Sequence, residues 1–504
     1  MKLTTAAAQA VFDELKTIDK DHTSVWEAFL AVLEIPRPSY HLEKITAFLK
    51  TFSDEHAFEF RMDNAQNVCI TVPASPGCEQ APSVALQGHS DIVGIAKAGT
   101  KHSFPDDPIV PQLIDDGADK FITATNTSLG ADNGIAIALA IALSTDKTLK
   151  HGPLELLITA NEEVGLVGAK AVEADFIKSA LLINLDSEEE NNLCVGCAGA
   201  FVNNIALDIS REALPAGHVT LDVEVTNLSG GHGGADIHLG RACAIKTITR
   251  MLMACLPAGG RLVAMSGGTA HNAIPRDAKA TVTLPMDDVV QFKADMTRLI
   301  EIIKEENRRT DPNIQLSINE ITNEEIVPMT VQSTSSVLHF TALMPIRPVK
   351  MSQDVDGLVS SSYATTIIET TDAQVKLNGT ARSETIGQLD AIYDQISGLC
   401  ALAGAAAPER ENEYPGWPTN SASELLKITK EEHATLVGAE PTVTAVHAGL
   451  ECGILMSHCP ITDAISIGPE IQSPHSPFER MKVSSVGPVY DVVAAVLARL
   501  AVGK

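Results

Sequence analysis

Apolar residues recur along the first part of the chain with the spacing of helices and then of strands. Over residues 5–34 they follow the helical period, and Pro36 and Pro38 end the helix that this spacing predicts. Residues 42–52 predict a further helix, and residues 56–72 alternate apolar and polar side chains as strands do. The chain is therefore expected to begin with helices that lead into a sheet.

Three later apolar runs predict buried strands, and polar side chains stand at the end of each. The runs are 84–91, which ends in His89 and Asp91, 154–160, followed by Glu162 and Glu163, and 181–185, followed by Asp186. Segments with helical patterns lie between the runs, which gives the β-α-β order of a parallel sheet. Because such sheets hold their sites at the carboxyl ends of the strands, we expect these side chains to share one site.

Two segments between these strands predict further structure, namely a long loop and a buried helix. The loop from about 94 to 128 is too long for a plain connection, so we expect it to be functional or to form a small hairpin. The run Ile135–Leu143 predicts a buried helix, and Asp132 or Asn133 just before it is a candidate for the N-cap. On this stretch alone, both residues would only cap the helix.

The pattern changes near residue 199, where half-exposed strands replace the buried ones. Strand-like alternation covers 199–226 and 276–286, and helical spacing covers 239–255 and 290–306. A buried strand returns at 464–468, ahead of His475 and a terminal helix near 484–501. These features predict an inserted α+β domain whose antiparallel sheet has one polar face.

The fold class predicted for the whole chain is α/β. A mixed, mostly parallel sheet flanked by helices would be formed by residues 1–198 and 415–504, and residues 199–414 would form the inserted α+β domain. A length of 504 residues independently suggests two or more domains.

Composition excludes several classes of function. Hydrophobic residues make up 45% and charged residues 20% of the chain, as in an ordinary globular protein. The formal net charge of -27 argues against nucleic acid and anionic membranes as partners. We see no apolar signal segment and no uncharged apolar run long enough to cross a bilayer. Nine scattered cysteines, an odd number, predict reduced thiols in the cytoplasm.

The polar residues at the strand ends form a possible set of metal ligands. They are His89, Asp132, Glu162, Glu163, Asp186 and His475. Two imidazoles with several carboxylates suit Zn²⁺, Mn²⁺ or Co²⁺. Three such ligands would serve one catalytic metal, and five would serve two metals that share a bridging carboxylate, leaving one glutamate of the adjacent pair as a general base. Asp91 would share a strand face with His89 and orient its imidazole. Taken singly, each motif also fits a solvated turn.

A series of motifs occurs in one order along nearly the whole chain. They are His-Ser-Asp at 89–91, Asp-Pro-Ile-Val-Pro at 107–111, Gly-Ala-Asp-Asn-Gly at 130–134, Asn-Glu-Glu-Val-Gly at 161–165, Asn-Leu-Asp-Ser-Glu-Glu-Glu at 184–190, Ser-Gly-Gly-His at 229–232, Gly-Thr-Ala-His-Asn-Ala-Ile-Pro-Arg at 268–276, His-Ala-Gly-Leu-Glu-Cys-Gly at 447–453, Ser-Ile-Gly-Pro at 466–469 and Ser-Pro-His-Ser-Pro at 473–477. In these motifs the chain resembles the M20 metallopeptidases. Within that family it looks most like the aminoacyl-histidine dipeptidases, also called cytosol non-specific dipeptidases.

The resemblance implies a role for each residue of the ligand set. The implied ligands are His89 and Asp186 for one divalent metal, Glu163 and His475 for the other, and Asp132 as the bridge between them. Glu162 would be the general base, and Asp91 would orient His89. The family also implies a cis peptide bond between Asp132 and Asn133. Zinc is the default metal, with manganese or cobalt as alternatives.

The resemblance also assigns residues of the inserted domain, which would be a lid and dimerisation domain. His232 would stabilise the oxyanion, often from the partner subunit of a homodimer. Arg382 would clamp the carboxylate of the substrate, because its guanidinium binds carboxylates through two hydrogen bonds, although it also fits a surface position. Asn272 and Glu451 are candidates for lining the substrate pocket, and Glu451 could instead be a paired core acid.

The function predicted from these features is hydrolysis of unblocked dipeptides, Xaa-His among them, by a cytoplasmic enzyme. Three positions depart from the expected family pattern and leave the substrate preference open: Asn161, Gly233 and His271. The alternatives are another M20 hydrolase, namely an aminoacylase, an aminotripeptidase or a carboxypeptidase, or a catalytically silent relative that binds peptides.

Overall fold

The computed structural model describes residues 2–117, 119–322, 326–353, 355 and 357–503. The chain forms two compact units. Unit 1 comprises Met1–Gly196, Thr419–Ala445 and Leu450–Lys504, and unit 2 comprises Cys197–Pro418 and Val446–Gly449. The catalytic role given to the first part of the chain and the lid role given to the inserted part stay predictions.

The described residues contain strands and helices throughout both units. The strands are β1 (Glu59–Met62), β2 (Val68–Val72), β3 (Val84–His89), β4 (Pro111–Asp116), β5 (Asp119–Ala124), β6 (Leu154–Thr159), β7 (Leu181–Asn184), β8 (Asn192–Cys197), β9 (Gly199–Asp208), β10 (His218–Thr226), β11 (Gly231–His232), β12 (Arg261–Gly267), β13 (Ala273–Ile274), β14 (Ala278–Pro285), β15 (Gln315–Ile321), β16 (Ile346–Met351), β17 (Val359–Thr370), β18 (Gln374–Ser383), β19 (Glu409–Tyr414), β20 (Thr442–Val446), β21 (Asp463–Ser466), β22 (Ile471–Gln472) and β23 (Arg480–Lys482). The helices are α1 (Ala6–Ile18), α2 (Thr23–Leu33), α3 (Glu43–Glu55), α4 (Ala131–Thr145), α5 (Val167–Ala171), α6 (Ala244–Cys255), α7 (Val289–Glu306), α8 (Val331–Leu343), α9 (Ile386–Ala403), α10 (Glu424–Val437), α11 (Glu451–His458) and α12 (Val483–Val502), with short 3₁₀ turns at Ile237–Leu239 and Met286–Asp288.

Unit 1 is built on an eight-stranded sheet with the order β1-β2-β6-β3-β7-β21-β8-β20. The central strands β6, β3, β7 and β21 run parallel, whereas β1 and β2 on one side and β8 on the other pair antiparallel. Every residue of β3 and β6 is buried, as expected where helices cover both faces of parallel strands. The predicted α/β class with a mixed sheet is confirmed, and the parallel pairing is confined to the centre.

Helices from both ends of the sequence pack on this sheet. Apolar side chains of α1, α2, α4 and α12 belong to one continuous core with those of the central strands. The segment Ile135–Leu143 of α4 contains only alanine, isoleucine and leucine and is buried on all sides, which is typical of a helix inside a core.

Among the described residues, the helix α12 is long and apolar enough to cross a bilayer by length and composition alone. In the structure 50% of its apolar window is buried, and Val486, Val492 and Val496 belong to the unit 1 core. The sequence analysis looked for an apolar run without charged residues. It did not identify this helix, because Asp491 and Arg499 lie within it. Its buried face marks it as a core helix of this unit.

The long loop after β3 contains a hairpin, which was one of its two predicted alternatives. Strands β4 and β5 pair antiparallel, and β5 also pairs with β23 in a four-stranded sheet of order β22-β23-β5-β4. Oγ1 of Thr123 donates a hydrogen bond of 2.7 Å to the carbonyl of Glu479. This sheet therefore holds the chain just after His475.

Unit 2 is an α+β structure, as predicted. Its nine-stranded sheet has the order β15-β10-β14-β12-β17-β18-β9-β19, with β16 beside β17, and each neighbouring pair is antiparallel. Strands β9 and β10 alternate buried and more exposed residues along much of their length. Helices α6, α7, α8 and α9 supply the apolar side chains that complete a second core.

The first helical region is divided in two, whereas the sequence predicted one helix over 5–34. At Asp19 the backbone leaves the helical conformation, with φ −128° and ψ 78°. The Asp19 carboxylate accepts hydrogen bonds from Nδ1 of His22 at 2.6 Å and from Nε1 of Trp26 at 2.8 Å. Nε2 of His22 lies 3.1 Å from Oδ1 of Asp491. These local hydrogen bonds compete with a continuous helix, and they tie the break to α12.

This arrangement predicts a pH-dependent contribution to stability. The hydrogen bond to Asp19 raises the pKa of His22 to about 9, with burial opposing the shift and Asp491 adding to it. A histidine with a raised folded-state pKa stabilises fully below its unfolded pKa of roughly 6.5 and loses that contribution as the pH rises through the folded value. We expect His22→Gln to lower the urea midpoint most near pH 6, with the difference from the unmodified chain shrinking from about pH 6.5 and nearly gone above about pH 9.

The matched control is His56→Gln, because Nδ1 of His56 contacts the Phe52 carbonyl rather than a carboxylate. Because this control removes no ion pair, it should lower the urea midpoint near pH 6 less than His22→Gln does. If the His22→Gln difference stayed constant over the whole range, the ion pair would not contribute as described.

Candidate metal centre

The carboxyl ends of three parallel strands meet at one edge of the unit 1 sheet. Strand β3 pairs in parallel with β6 and β7, and its last residue, His89, lies beside Thr159 at the end of β6. Glu162 and Glu163 follow β6, and Asp186 follows β7. The side chains that follow the three apolar runs therefore lie at one edge of the sheet, as the sequence predicted.

Asp132 lies between the two histidines of this edge. Its Oδ1 is 2.9 Å from Nε2 of His89, and its Oδ2 is 2.9 Å from Nε2 of His475. Oδ1 of Asp186 lies 3.6 Å from the His89 nitrogen, and Oε2 of Glu163 lies 3.0 Å from the His475 nitrogen. Two groups of three residues thus share Asp132, and within each group the ligand atoms lie within 4.8 Å of one another.

The start of α4 against β3 brings Asp132 to His89. The peptide bond between Asp132 and Asn133 is cis, as the resemblance implied. Oδ1 of Asn133 accepts a hydrogen bond of 3.1 Å from the backbone N–H of His89. A Cβ on Gly88 would lie 2.3 Å from that oxygen and 2.4 Å from the Cβ of Ala136, so this close approach requires glycine at position 88.

Neither Asp132 nor Asn133 caps α4, so the N-cap prediction is wrong. The N-cap is Gly130, with φ 73° and no capping side chain, and residues 132 and 133 have non-helical backbone angles. Glu479 takes the capping role, because its carboxylate accepts hydrogen bonds from the N–H groups of residues 129–132 at 2.8–3.3 Å. The sequence analysis missed Glu479, and an available signal was its position four residues after His475.

Asp91 connects the two groups without being one of the six candidate ligands. Nδ1 of His89 lies 3.1 Å from the Asp91 carbonyl oxygen and 3.4 Å from its Oδ1. The carboxylate also accepts hydrogen bonds from Oγ of Ser39 and from the backbone N–H groups of Glu162 and Glu163. One buried carboxylate thus orients an imidazole and the segment that carries both glutamates. Such partners fix the tautomer and orientation of metal-binding histidines.

Glu162 lies at the cluster with its carboxylate free of protein hydrogen bonds in the described part of the chain. One of its oxygens is within 4.8 Å of ligand atoms of His89 and Glu163. Burial raises the pKa of Glu162 to about 8, the negative charges of Glu451, Glu163 and Asp132 add to the shift, and His89 opposes it. A carboxyl group in this state exchanges a proton near neutral pH.

The electrostatics of the side chains favour a cation at this place. Burial, together with neighbouring carboxylates, holds the pKa of Asp186 well above its usual range. Hydrogen bonds to Asp132 and Glu163 raise the pKa of His475 to about 11. Divalent cations compete with the protons that such groups retain. Oε1 of Glu163 is buried and has no hydrogen-bond partner among the described residues, so the cluster offers an unused oxygen.

Glu451 is in unit 1, buried beneath this edge. Its side chain is 1% exposed, and its Oε2 accepts hydrogen bonds of 2.6 Å from Nε2 of Gln87 and from Oγ1 of Thr159. Burial raises its pKa to about 7. This placement favours the alternative that Glu451 is a buried, hydrogen-bonded acid over a position lining a substrate pocket.

The other predicted residues lie in unit 2. Nδ1 of His232 accepts hydrogen bonds from the backbone N–H groups of Gly234 and Ala235 at 3.3 and 2.8 Å. Burial, with the nearby charge of Arg382, lowers the pKa of His232 to about 4. Arg382 is 6% exposed, its Nη1 donates to the hydroxyl of Tyr414 at 3.3 Å, and its Nε has no hydrogen-bond partner among the described residues. Arg382 is therefore a buried cation, which argues against the surface alternative.

The three departures from the family pattern each make a hydrogen bond. The N–H of Gly233 donates to the carbonyl of Asn272 at 2.6 Å, and the Asn272 side chain is exposed. The carbonyl of His271 accepts a hydrogen bond from Oγ1 of Thr380. In unit 1, Oδ1 of Asn161 accepts a hydrogen bond of 2.6 Å from the backbone N–H of Tyr40.

Comparison with known proteins decides the family. Residues 85–499 match the model of peptidase family M20/M25/M40. The chain belongs to this family. The resemblance predicted from its motifs is confirmed, and membership makes the chain a peptide hydrolase.

A named relative and solved structures match nearly the whole chain. The chain is 34% identical over 479 residues to the cytosol non-specific dipeptidase of Escherichia coli (strain K12). The aligned region covers 94% of this chain and 97% of that protein. The crystal structure of the aminoacylhistidine dipeptidase from Vibrio alginolyticus matches with a TM-score of 0.86 at 34% identity, covering 96% of this chain and 97% of the other. A tripeptidase from Staphylococcus aureus, 15% identical with a TM-score of 0.54 and covering 95% and 99%, shares the fold.

The contacts of Asp91 predict an effect on metal affinity. With zinc as the probe, Asp91→Asn should weaken cation binding by roughly 10–100-fold, because His89, a candidate ligand, loses the carboxylate that orients it. Competition with a chromogenic chelator measures this change. Asp63→Asn is the matched control, since Asp63 also accepts backbone N–H groups, those of Ala65 and Asn67, in the turn before β2. Equal zinc affinities of the two variants would contradict the role given to Asp91.

Proposed function

We propose that the chain is a metal-dependent dipeptidase that hydrolyses unblocked dipeptides, Xaa-His among them. The observation that carries the proposal is the pair of three-residue groups that share Asp132 beside Glu162. The identity of 34% over 94% of the chain to a cytosol non-specific dipeptidase supports dipeptides as the substrate class.

Two divalent cations fit the two groups. We assign His89, Asp186 and the shared Asp132 to one cation, and Glu163, His475 and the shared Asp132 to the other. Zinc is the metal we propose, and manganese and cobalt suit the same donors. When bound, such a pair of cations supplies Lewis acidity that activates water and polarises a peptide carbonyl.

Glu162 is the proposed general base and then the general acid. Its carboxylate takes a proton from the water whose oxygen bonds to the scissile carbonyl carbon. The protonated carboxyl then gives this proton to the amine nitrogen as the carbon–nitrogen bond breaks. Two free amino acids are released, and Glu162 is again a carboxylate. Its burial and the surrounding negative charges favour proton uptake.

His232 is proposed to stabilise the oxyanion of the tetrahedral intermediate. Its pKa is lowered to about 4 by burial, so the ring is neutral near pH 7. Because Nδ1 accepts hydrogen bonds from the backbone, the neutral ring carries its proton on Nε2. Nε2 is then a hydrogen-bond donor suited to a developing negative charge.

Arg382 is proposed to bind the carboxylate of the dipeptide. A buried guanidinium with an unpaired Nε offers donors that a carboxylate would complete. A requirement for this carboxylate would favour short peptides with a free C-terminus. Asn272, which is exposed and directly precedes β13, the strand that pairs with β11, is a weaker candidate for substrate contact. We further propose a homodimer formed through unit 2 and a cytoplasmic location.

The experiment that tests this function uses the full chain, depleted of metal and then reconstituted with zinc. We expect zinc to restore hydrolysis of Xaa-His, Gly-Gly and Leu-Leu, measured by release of free amino acids, and N-acetylated dipeptides to remain intact. Cleavage of the blocked substrates alone would favour an aminoacylase, and binding of peptides without cleavage would favour the silent relative.

The same assay identifies the base. Glu162→Gln should lower kcat by about 10²-fold or more, while two zinc ions still bind, because the amide cannot take the proton. Glu189→Gln is the matched control, since Glu189 is an exposed acid of unit 1 that accepts a hydrogen bond from Asn192. Turnover by Glu162→Gln at the rate of the control would show that another group is the base.

A further inference from the structure

Two charged side chains are almost completely buried near Asp132 and form no salt bridge within the described part of the chain. Arg37 is 1% exposed and Glu479 is 2% exposed. Burying a charge without an opposite partner is costly unless hydrogen bonds satisfy it. All of the hydrogen bonds made by these two charged groups go to the backbone, and the backbone segments involved are those that carry the proposed metal ligands.

Arg37 joins the chain after His89 to the chain before Asp132. Its Nη1 donates to the carbonyls of Ser90 at 3.0 Å and Asp91 at 3.2 Å. Its Nη2 donates to the carbonyl of Gly130 at 2.6 Å. The planar guanidinium therefore holds the segment after β3 and the start of α4 at a fixed separation.

Glu479 joins the chain after His475 to the same segment before Asp132. Its Oε2 accepts hydrogen bonds from the N–H groups of Leu129 and Gly130 at 2.8 and 3.0 Å, and its Oε1 accepts from those of Ala131 and Asp132 at 2.8 and 3.3 Å. The carboxylate thus contacts every residue from 129 to 132.

Gly130 is held from both sides by these two charges. Glu479 binds its N–H, and Arg37 binds its carbonyl. The guanidinium of Arg37 also requires glycine at position 134. A Cβ on Gly134 would lie 2.4 Å from Nη2 of Arg37. Three separate stretches of chain, carrying His89, Asp132 and His475, are therefore connected through one buried cation and one buried anion.

We propose that Arg37 and Glu479 are positioning residues that fix the two histidines on opposite sides of Asp132 and so set the spacing of the two cations. The proposal rests on the metal assignments of the proposed function. Both act through the backbone of residues 90–91 and 129–132, to which their charged groups are hydrogen-bonded. A neutral core residue at either position would fill space but could not hold these segments in register.

The test compares variants of the full chain by zinc binding and by steady-state kinetics. Glu479→Gln replaces one acceptor oxygen with an N–H donor group that opposes the backbone N–H groups. Arg37→Met removes the donors and keeps much of the side-chain length. We expect each to weaken binding of at least one of the two zinc ions by roughly 10–100-fold. At saturating zinc we expect kcat to fall while KM changes little.

A matched control separates positioning from general stability. Glu155 is 3% exposed, and its Oε2 accepts hydrogen bonds from the backbone N–H groups of Lys178 and Ser179 at 2.8 Å. It lies on β6 four residues before Thr159, the residue beside His89. Glu155→Gln should lower the melting temperature of the metal-free chain but leave zinc affinity and kcat unchanged.

Arg37→Lys keeps the variant series informative if Arg37→Met or Glu479→Gln fails to fold. Lysine retains the charge but lacks the fork, so we expect a folded protein with weakened zinc binding and a lowered kcat. The proposal is overturned if the folded variants lose only melting temperature, as Glu155→Gln does, and bind two zinc ions with the affinity of the unmodified chain. Failure of the unmodified chain to cleave dipeptides would contradict the proposed function alone, because the zinc titrations test positioning without it.

Discussion

The constraint on which the rest of unit 1 depends is the crowding of acidic groups at one sheet edge. Asp132, Glu162, Glu163 and Asp186 converge there with two imidazoles, and Glu451 lies buried beneath them. Such a concentration of negative charge is unfavourable in a buried place unless cations, protons or N–H donors offset it. The two histidines offer N–H groups to Asp132, and backbone N–H groups bind the carboxylates of Asp91 and Glu479. The remaining carboxylate oxygens form a donor set suited to two metal cations.

Much of the candidate site could be predicted from the sequence because strand ends are local features. His89, Glu163 and Asp186 each follow an apolar run, and parallel pairing then brings them to one edge. Asp132 and His475 were candidate ligands from the sequence, but only the family resemblance gave them their roles, because they lie 343 positions apart and meet through tertiary folding. The contacts that sequence reasoning missed also depend on tertiary folding.

Those missed contacts are made by charged side chains to backbone groups far away in sequence. Glu479 caps a helix that begins almost 350 residues earlier, so a search for a cap beside Ile135 finds Asp132 and Asn133 instead. The break at Asp19 was missed for a similar reason, since it depends on hydrogen bonds among side chains rather than on apolar spacing. The prediction of the fold class was nevertheless correct, because the buried strands and the change of pattern near residue 199 each involve many positions.

The claim that two cations bind on either side of Asp132 is tested most directly by anomalous diffraction from zinc-loaded crystals, with data collected above and below the zinc absorption edge. We predict two anomalous peaks about 3.5–4 Å apart, one beside His89 and Asp186 and the other beside Glu163 and His475. A single peak, or peaks away from Asp132, would contradict the account.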